Sequence, residues 1–138
     1  MAYVSLDSDQ IKKAHKKHKY TKEQVLQLEK CMDPKTGPLF FMKTFMQIQH
    51  PVKGSMPFTP YPYQERLINS YNDHRFSIAM LPRQTGKTTC ASGFLIWYAM
   101  FRPDSQILIA AHKYAGASDI MSRVRYAYEM LPSWIKAG

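Results

Sequence analysis

The sequence has few cysteines, no long apolar run and a shortage of acidic side chains. Cys31 and Cys90 stand far apart, with no CxxC pair and no histidine at metal-ligand spacing. That argues against a disulfide scaffold and favours reduced thiols in a cytosol-like compartment. No apolar stretch approaches the roughly 20 residues that span a bilayer, and residues 1–10 lack the basic-then-apolar pattern of a secretory signal. The sequence therefore predicts a protein that is neither embedded in a membrane nor exported.

Basic residues outnumber acidic ones by 19 to 10 over 138 residues, which gives a formal charge of +9. Such a balance favours a polyanionic partner, nucleic acid before membrane. Much of the excess lies between Lys12 and Lys22, where six lysines crowd together with two histidines. We interpret residues 1–20 as a basic flexible leader. A solvated arm and an arm that contacts phosphates remain equal alternatives.

Residues 21–60 are predicted to form a helical N-terminal segment followed by a proline-rich linker. Thr21 and Gln24 fit a capping box, and the Asp33-Pro34 pair is typical of a helix end. A second helix is expected over about 38–48. The stretch 49–62 is expected to be irregular because it contains four prolines and a glycine.

Residues 61–138 show a β-loop-α-β-α pattern, with a short helix expected at 63–72. Apolar strands are expected at 76–81 and 106–112, and helices at about 87–101 and 115–131. Two near-continuous apolar strands joined by a helix predict a parallel pair covered on both faces. The predicted fold class is α/β, an incomplete P-loop NTPase (RecA-like, ASCE) domain with parallel strands, preceded by the helical segment.

The loop between the first strand and its helix favours phosphate binding, since a helix N-terminus presents free N–H groups to an anion. Gly86 allows close approach of the backbone, Lys87 would reach the β- and γ-phosphates, and the Thr88 hydroxyl would ligate Mg²⁺. The usual motif has a glycine five residues before Gly86, where this sequence has Leu81. A strand-to-helix turn with an incidental lysine is the alternative interpretation. The predicted nucleotide-contacting residues of the loop are Arg83, Gln84, Thr85, Gly86, Lys87, Thr88 and Thr89.

Gln64 precedes this loop and is a candidate adenine contact. Its carboxamide offers both a donor and an acceptor, the pattern that distinguishes adenine from guanine. Tyr63 or Tyr61 could pack on the base. Taken alone, Gln64 would be an exposed helix residue, and only its place ahead of a phosphate loop favours base recognition.

These motifs together resemble the N-terminal part of the terminase large subunit of tailed bacteriophages. The resemblance rests on the Tyr63-Gln64 pair, the Arg-Gln-x-Gly-Lys-Thr-Thr loop and the Ala-Ala-His-Lys sequence that ends at Lys113, and it runs from about Tyr20 to Trp134. That family lacks the first loop glycine and carries an early arginine, here Arg83. The resemblance implies that Arg83 acts catalytically by sensing or stabilising the γ-phosphate.

The same resemblance implies a function for the complete enzyme. It would bind ATP and Mg²⁺ to drive double-stranded DNA into a procapsid, and would then cut the DNA. Its implied partners are double-stranded DNA, the portal protein and the small terminase subunit, in the host cell cytoplasm. The front of a superfamily 2-like helicase or translocase is one alternative. A non-catalytic basic module that binds nucleotide or DNA is another.

A working motor also needs an acidic strand end that activates water. After Lys87 the acidic residues are Asp104, Asp119 and Glu129, and none follows a buried apolar strand. We therefore expect the chain to stop before the acidic Walker B strand, as a fragment, a split gene product or a truncated reading frame. ATP turnover by this chain alone is not expected.

Overall fold

The computed structural model describes residues 19–50, 52–82 and 86–136. These residues are mostly helical and contain one two-stranded sheet. The elements in chain order are α1 (Lys22–Met32), α2 (Gly37–Phe45), β1 (Gln47–His50), β2 (Gly54–Pro57), α3 (Pro62–Asp73), α4 (Lys87–Phe101) and α5 (Tyr114–Glu129).

The predicted α/β fold with parallel strands is wrong. The ladder in the described residues is antiparallel, between β1 and β2, and neither 76–81 nor 106–112 forms a strand. A RecA-like parallel sheet is therefore not seen in this part of the chain. Side chains expected in a buried sheet are exposed instead, Ile78 by 94%, Met80 by 92% and Leu108 by 91%. The apolar composition of these segments is typical of strands, but a strand also needs a hydrogen-bonded neighbour, which the pattern of one segment does not supply.

The first helix begins and ends where the sequence predicts. The backbone N–H of Thr21 donates to Oε1 of Gln24 at 3.0 Å, and the N–H of Gln24 donates to Oγ1 of Thr21 at 3.2 Å. This confirms the capping box. After α1, the Asp33 carboxylate accepts hydrogen bonds from the N–H groups of Thr36 and Lys35, which lower the pKa of Asp33. The Asp33 side chain therefore fixes the turn between α1 and α2, at the helix end that the Asp33-Pro34 pair predicted.

The stretch 49–62, predicted to be irregular, contains β2 and the last two residues of β1, which pair as a β-hairpin. Gln47 of β1 pairs with Pro57, and Ile48 pairs with Met56. A proline at a strand end is compatible with a sheet because it is not required to donate a ladder hydrogen bond there. Gly54 begins β2 in the left-handed region, with φ 71°. The hairpin also explains why α2 ends at Phe45 and not near residue 48.

The core is built around α2 and α4. Phe41, Met42 and Trp97 are almost completely buried, and Trp97 donates its indole N–H to the Cys31 carbonyl at 2.7 Å. Because Cys31 lies in α1, this bond ties the first helix to the middle of α4. Ile68 of α3 belongs to the same buried cluster.

Helix α3 confirms the predicted short helix and is held near both ends. Near its start, Glu65 forms an ion pair with Lys43 of α2 at 2.7 Å. Near its end, Asn72 donates to the carbonyls of Pro34 and Lys35 at 2.6 and 3.2 Å. These contacts fix the position of α3 relative to α1 and α2. The helices predicted at about 87–101 and 115–131 are also present, as α4 and α5.

Candidate functional site

The candidate site lies where α4 begins. Gly86 is the N-cap residue, with φ 77° and ψ 16°, and its carbonyl accepts the N–H of Cys90 at 3.0 Å. The N–H groups of the three residues between them precede this first helical hydrogen bond. The first turn of α4 contains no acidic side chain. This helix end therefore has the partial positive charge that suits an anion.

Lys87 lies in this first turn with an exposed side chain. Its Nζ donates to the Leu81 carbonyl at 3.3 Å, so the amine bridges the start of α4 and the segment before the loop. Hydrogen bonds from ammonium groups to anions are shorter and about twice as strong as those between neutral groups. A phosphate oxygen would thus compete well with a neutral carbonyl for this amine.

Thr88 and Thr89 follow Lys87 and are both half-buried. The Thr88 carbonyl accepts the hydroxyl of Ser92 at 2.8 Å, and Ser92 is buried in turn. Thr89 lines a cavity of about 340 Å³ between β1, α4 and α5. The structure thus anchors the backbone of Thr88, the residue predicted to ligate Mg²⁺.

Asp119 lines the same cavity as Thr89, and sequence reasoning gave it no role beyond its being acidic. Its carboxylate pairs with Arg123 at 3.4 Å, one helical turn further along α5. The i, i+4 spacing of an acid and a base on a helix is the signal that would have revealed this pair. Both side chains are more than half exposed, so the pair contributes little to stability.

Gln64 is buried and not an exposed helix residue, since only 6% of it is accessible. Its Oε1 accepts the backbone N–H of Tyr61 at 2.8 Å. Its amide end lies beside Gly86, where an added Cβ would overlap Nε2 of Gln64 and lie 3.7 Å from its Cδ. The structure therefore brings Gln64 and Gly86 together. The adenine-reading role of Gln64 stays a prediction.

Two tyrosines stand beside Gln64 at the start of α3. The rings of Tyr61 and Tyr63 are stacked, with centroids 5.9 Å apart and planes 8° apart, and Tyr61 is 64% exposed. Base stacking by either ring stays a prediction.

The remaining loop residues, Arg83, Gln84 and Thr85, lie outside the described residues, so their predicted roles also stay predictions. Across residues 19–50, 52–82 and 86–136, there is no group of three or more His, Cys, Asp or Glu side chains that could hold a metal ion. The Mg²⁺ ligand predicted from the sequence, the Thr88 hydroxyl, stays a prediction.

A comparison with known families settles the resemblance drawn from the sequence. Residues 78–137 match the family described as terminase large subunit, T4likevirus-type, N-terminal. Over these residues the chain is similar to the terminase large subunit. The predicted resemblance to the N-terminal part of a viral packaging terminase is confirmed, and it is favoured over the helicase alternative. The matched terminase segment contains Gly86, Lys87, α4 and α5, whereas Gln64 precedes it.

The terminase family generally works with DNA and with other components of the packaging complex, which agrees with the basic charge of the chain. Among the helices of the described ranges, none is long and apolar enough to cross a membrane.

Proposed function

We propose that this chain is the nucleotide-binding front part of a terminase large subunit, which binds ATP with Mg²⁺ at the start of α4. The observation that carries the proposal is the left-handed Gly86 at a helix start with no acid in its first turn, followed by the exposed amine of Lys87. This arrangement lies inside the segment that matches the terminase family. In the complete enzyme, ATP would power the movement of double-stranded DNA into a procapsid in the host cytoplasm.

The described residues fit a bound triphosphate. The N–H groups at the start of α4 would bind phosphate oxygens, and Lys87 would exchange its bond to the Leu81 carbonyl for the β- and γ-phosphates. The Thr88 hydroxyl would hold Mg²⁺, which when bound neutralises charge on the phosphates. On the family resemblance, Arg83 would act on the γ-phosphate.

The proposal for this chain is binding and not turnover. Of the acidic residues that follow Lys87, Asp104 lies in the turn after α4, Asp119 is paired with Arg123 and Glu129 ends α5. None of the three follows a strand, which is where a motor places its water-activating carboxylate. Double-stranded DNA, the portal protein and the small terminase subunit belong to the proposal as partners of the complete enzyme.

Calorimetric titration of the 138-residue chain with Mg²⁺ and ATP tests this function. We expect Lys87→Ala to weaken binding by about tenfold or more, because it removes charge-assisted bonds to the phosphates. Lys35→Ala is the control, since Lys35 is also exposed and lies outside the basic segment 12–22. If the parent chain does not bind ATP, or if both variants bind it equally, the proposal is wrong.

A further inference from the structure

We infer that Gln64 is a positioning residue of this site, whose side chain ties the start of α3 to Gly86 and so fixes the first turn of α4. The inference rests on the proposed function only in that the positioned turn binds phosphates. It gives Gln64 a role that does not depend on the base of the nucleotide.

The first support is the contact itself. The carboxamide of Gln64 is buried, and its Oε1 is already bonded to the Tyr61 N–H. Its Nε2 fills the space beside Gly86 that a Cβ would need. Although a glutamine side chain is flexible in general, this one is held at its oxygen end. The amide end therefore has little freedom to move away from Gly86.

The second support is that α3 is itself anchored. The residue after Gln64 is Glu65, which pairs with Lys43 of α2, and Asn72 holds the far end of α3 to the turn after α1. Gln64 thus projects from a fixed helix. Because its backbone is held in place, the Gln64 side chain can fix the position of Gly86.

The third support is the place of Gly86 in α4. The Gly86 carbonyl accepts the first hydrogen bond of the helix, from Cys90. A shift of Gly86 would therefore disturb the turn that contains Lys87 and Thr88. Through this turn, Gln64 would act on every ligand that carries the phosphates.

A positioning role and a base-recognition role for Gln64 predict different losses of ligand affinity when Gln64 is replaced. A residue that reads adenine acts on ATP and leaves unaffected a ligand without a base. A residue that positions the phosphate turn acts equally on ATP, on GTP and on inorganic tripolyphosphate.

The test is to titrate the 138-residue chain with each of these three ligands and Mg²⁺. We expect Gln64→Ala to weaken all three by a common factor of about ten. Gln24→Ala is the matched control, because Gln24 makes the same bond to the N-cap residue of α1, and it should change none of the three. A loss confined to ATP would assign Gln64 to the base and overturn the proposal, as would no loss at all.

Amide hydrogen exchange without ligand separates the positioning role from the proposed function. In Gln64→Ala, the Cys90 N–H should exchange about tenfold faster, while the Val25 N–H, which makes the first hydrogen bond of α1, should not change. Gln64→Glu keeps an acceptor for the Tyr61 N–H but loses the amide, so it should show the same effect in a chain that keeps the cap of α3. An unchanged Cys90 rate in both variants overturns the positioning role. If the rate rises but the parent binds no phosphate, positioning stands and the nucleotide function fails.

Discussion

Gly86 and Gly54 share a left-handed backbone, with φ 77° and 71°, but only Gly86 has a neighbour where a Cβ would go. At Gly54 there is open space within 4 Å of that position, whereas at Gly86 the Gln64 amide occupies it. Gly54→Ala should therefore show only the backbone cost of a left-handed residue, about 1–2 kcal/mol. Gly86→Ala should add an overpacking cost of about 1–3 kcal/mol. The difference between the two variants measures the contact with Gln64.

Urea denaturation followed by tryptophan fluorescence gives the free energy of unfolding of each variant. The double variant Gly86→Ala with Gln64→Ala completes the cycle, because shortening Gln64 vacates the space that the new methyl group needs. We expect the double variant to be more stable than the sum of the single costs predicts, by about 1 kcal/mol or more. Equal costs for the two alanine variants, or strict additivity in the cycle, would refute the contact on which the positioning role depends.

Three further predictions concern the core, the thiols and the basic segment. Trp97→Phe leaves the buried Cys31 carbonyl without its indole donor, so the free energy of unfolding should fall by about 1–3 kcal/mol in the same urea assay, and an unchanged value would contradict the bond. Burial raises the pKa of the Cys31 thiol to about 12 and that of Cys90 to about 11, so both thiols should resist a disulfide reagent at about pH 8 until the chain unfolds. Because unfolded thiols ionise at lower pH than these, stability should also fall as the pH rises from about 9 towards 11, and this loss should shrink in Cys31→Ala. If residues 12–22 contact phosphates, replacing four of their lysines by alanine should flatten the salt dependence of duplex DNA binding, whereas an unchanged slope would assign the segment to a solvated arm.

The helices were predictable because their signals are local. Thr21 and Gln24 lie three residues apart, and Asp33 stops α1 through its own neighbours in sequence. Gly86 marks the start of α4 through its own backbone conformation. Each of these signals lies within a few consecutive residues, so it can be read from the sequence without knowing the tertiary structure.

The sheet and the surroundings of Gln64 were not predictable in this way. Residues 76–81 have the composition of a buried strand, but no local pattern states which segment would pair with them. Prolines around β2 suggested an irregular linker, although Pro57 only ends the strand. The burial of Gln64 depends on Gly86, which is distant in sequence and close only after α3 and α4 have packed.

The hydrogen bond from the Trp97 indole to the Cys31 carbonyl shows that the packed core extends beyond the segment that matches the terminase family. The family match begins at residue 78, but the buried partners of α4 include Cys31, Phe41 and Ile68, which all precede it. A polypeptide truncated to the matched range would keep Gly86 and Lys87 but lose the core residues of α1, α2 and α3. Trp97 would then face water with its N–H unpaired by Cys31. The segment that matches the terminase family therefore depends for its packing on residues that precede the match.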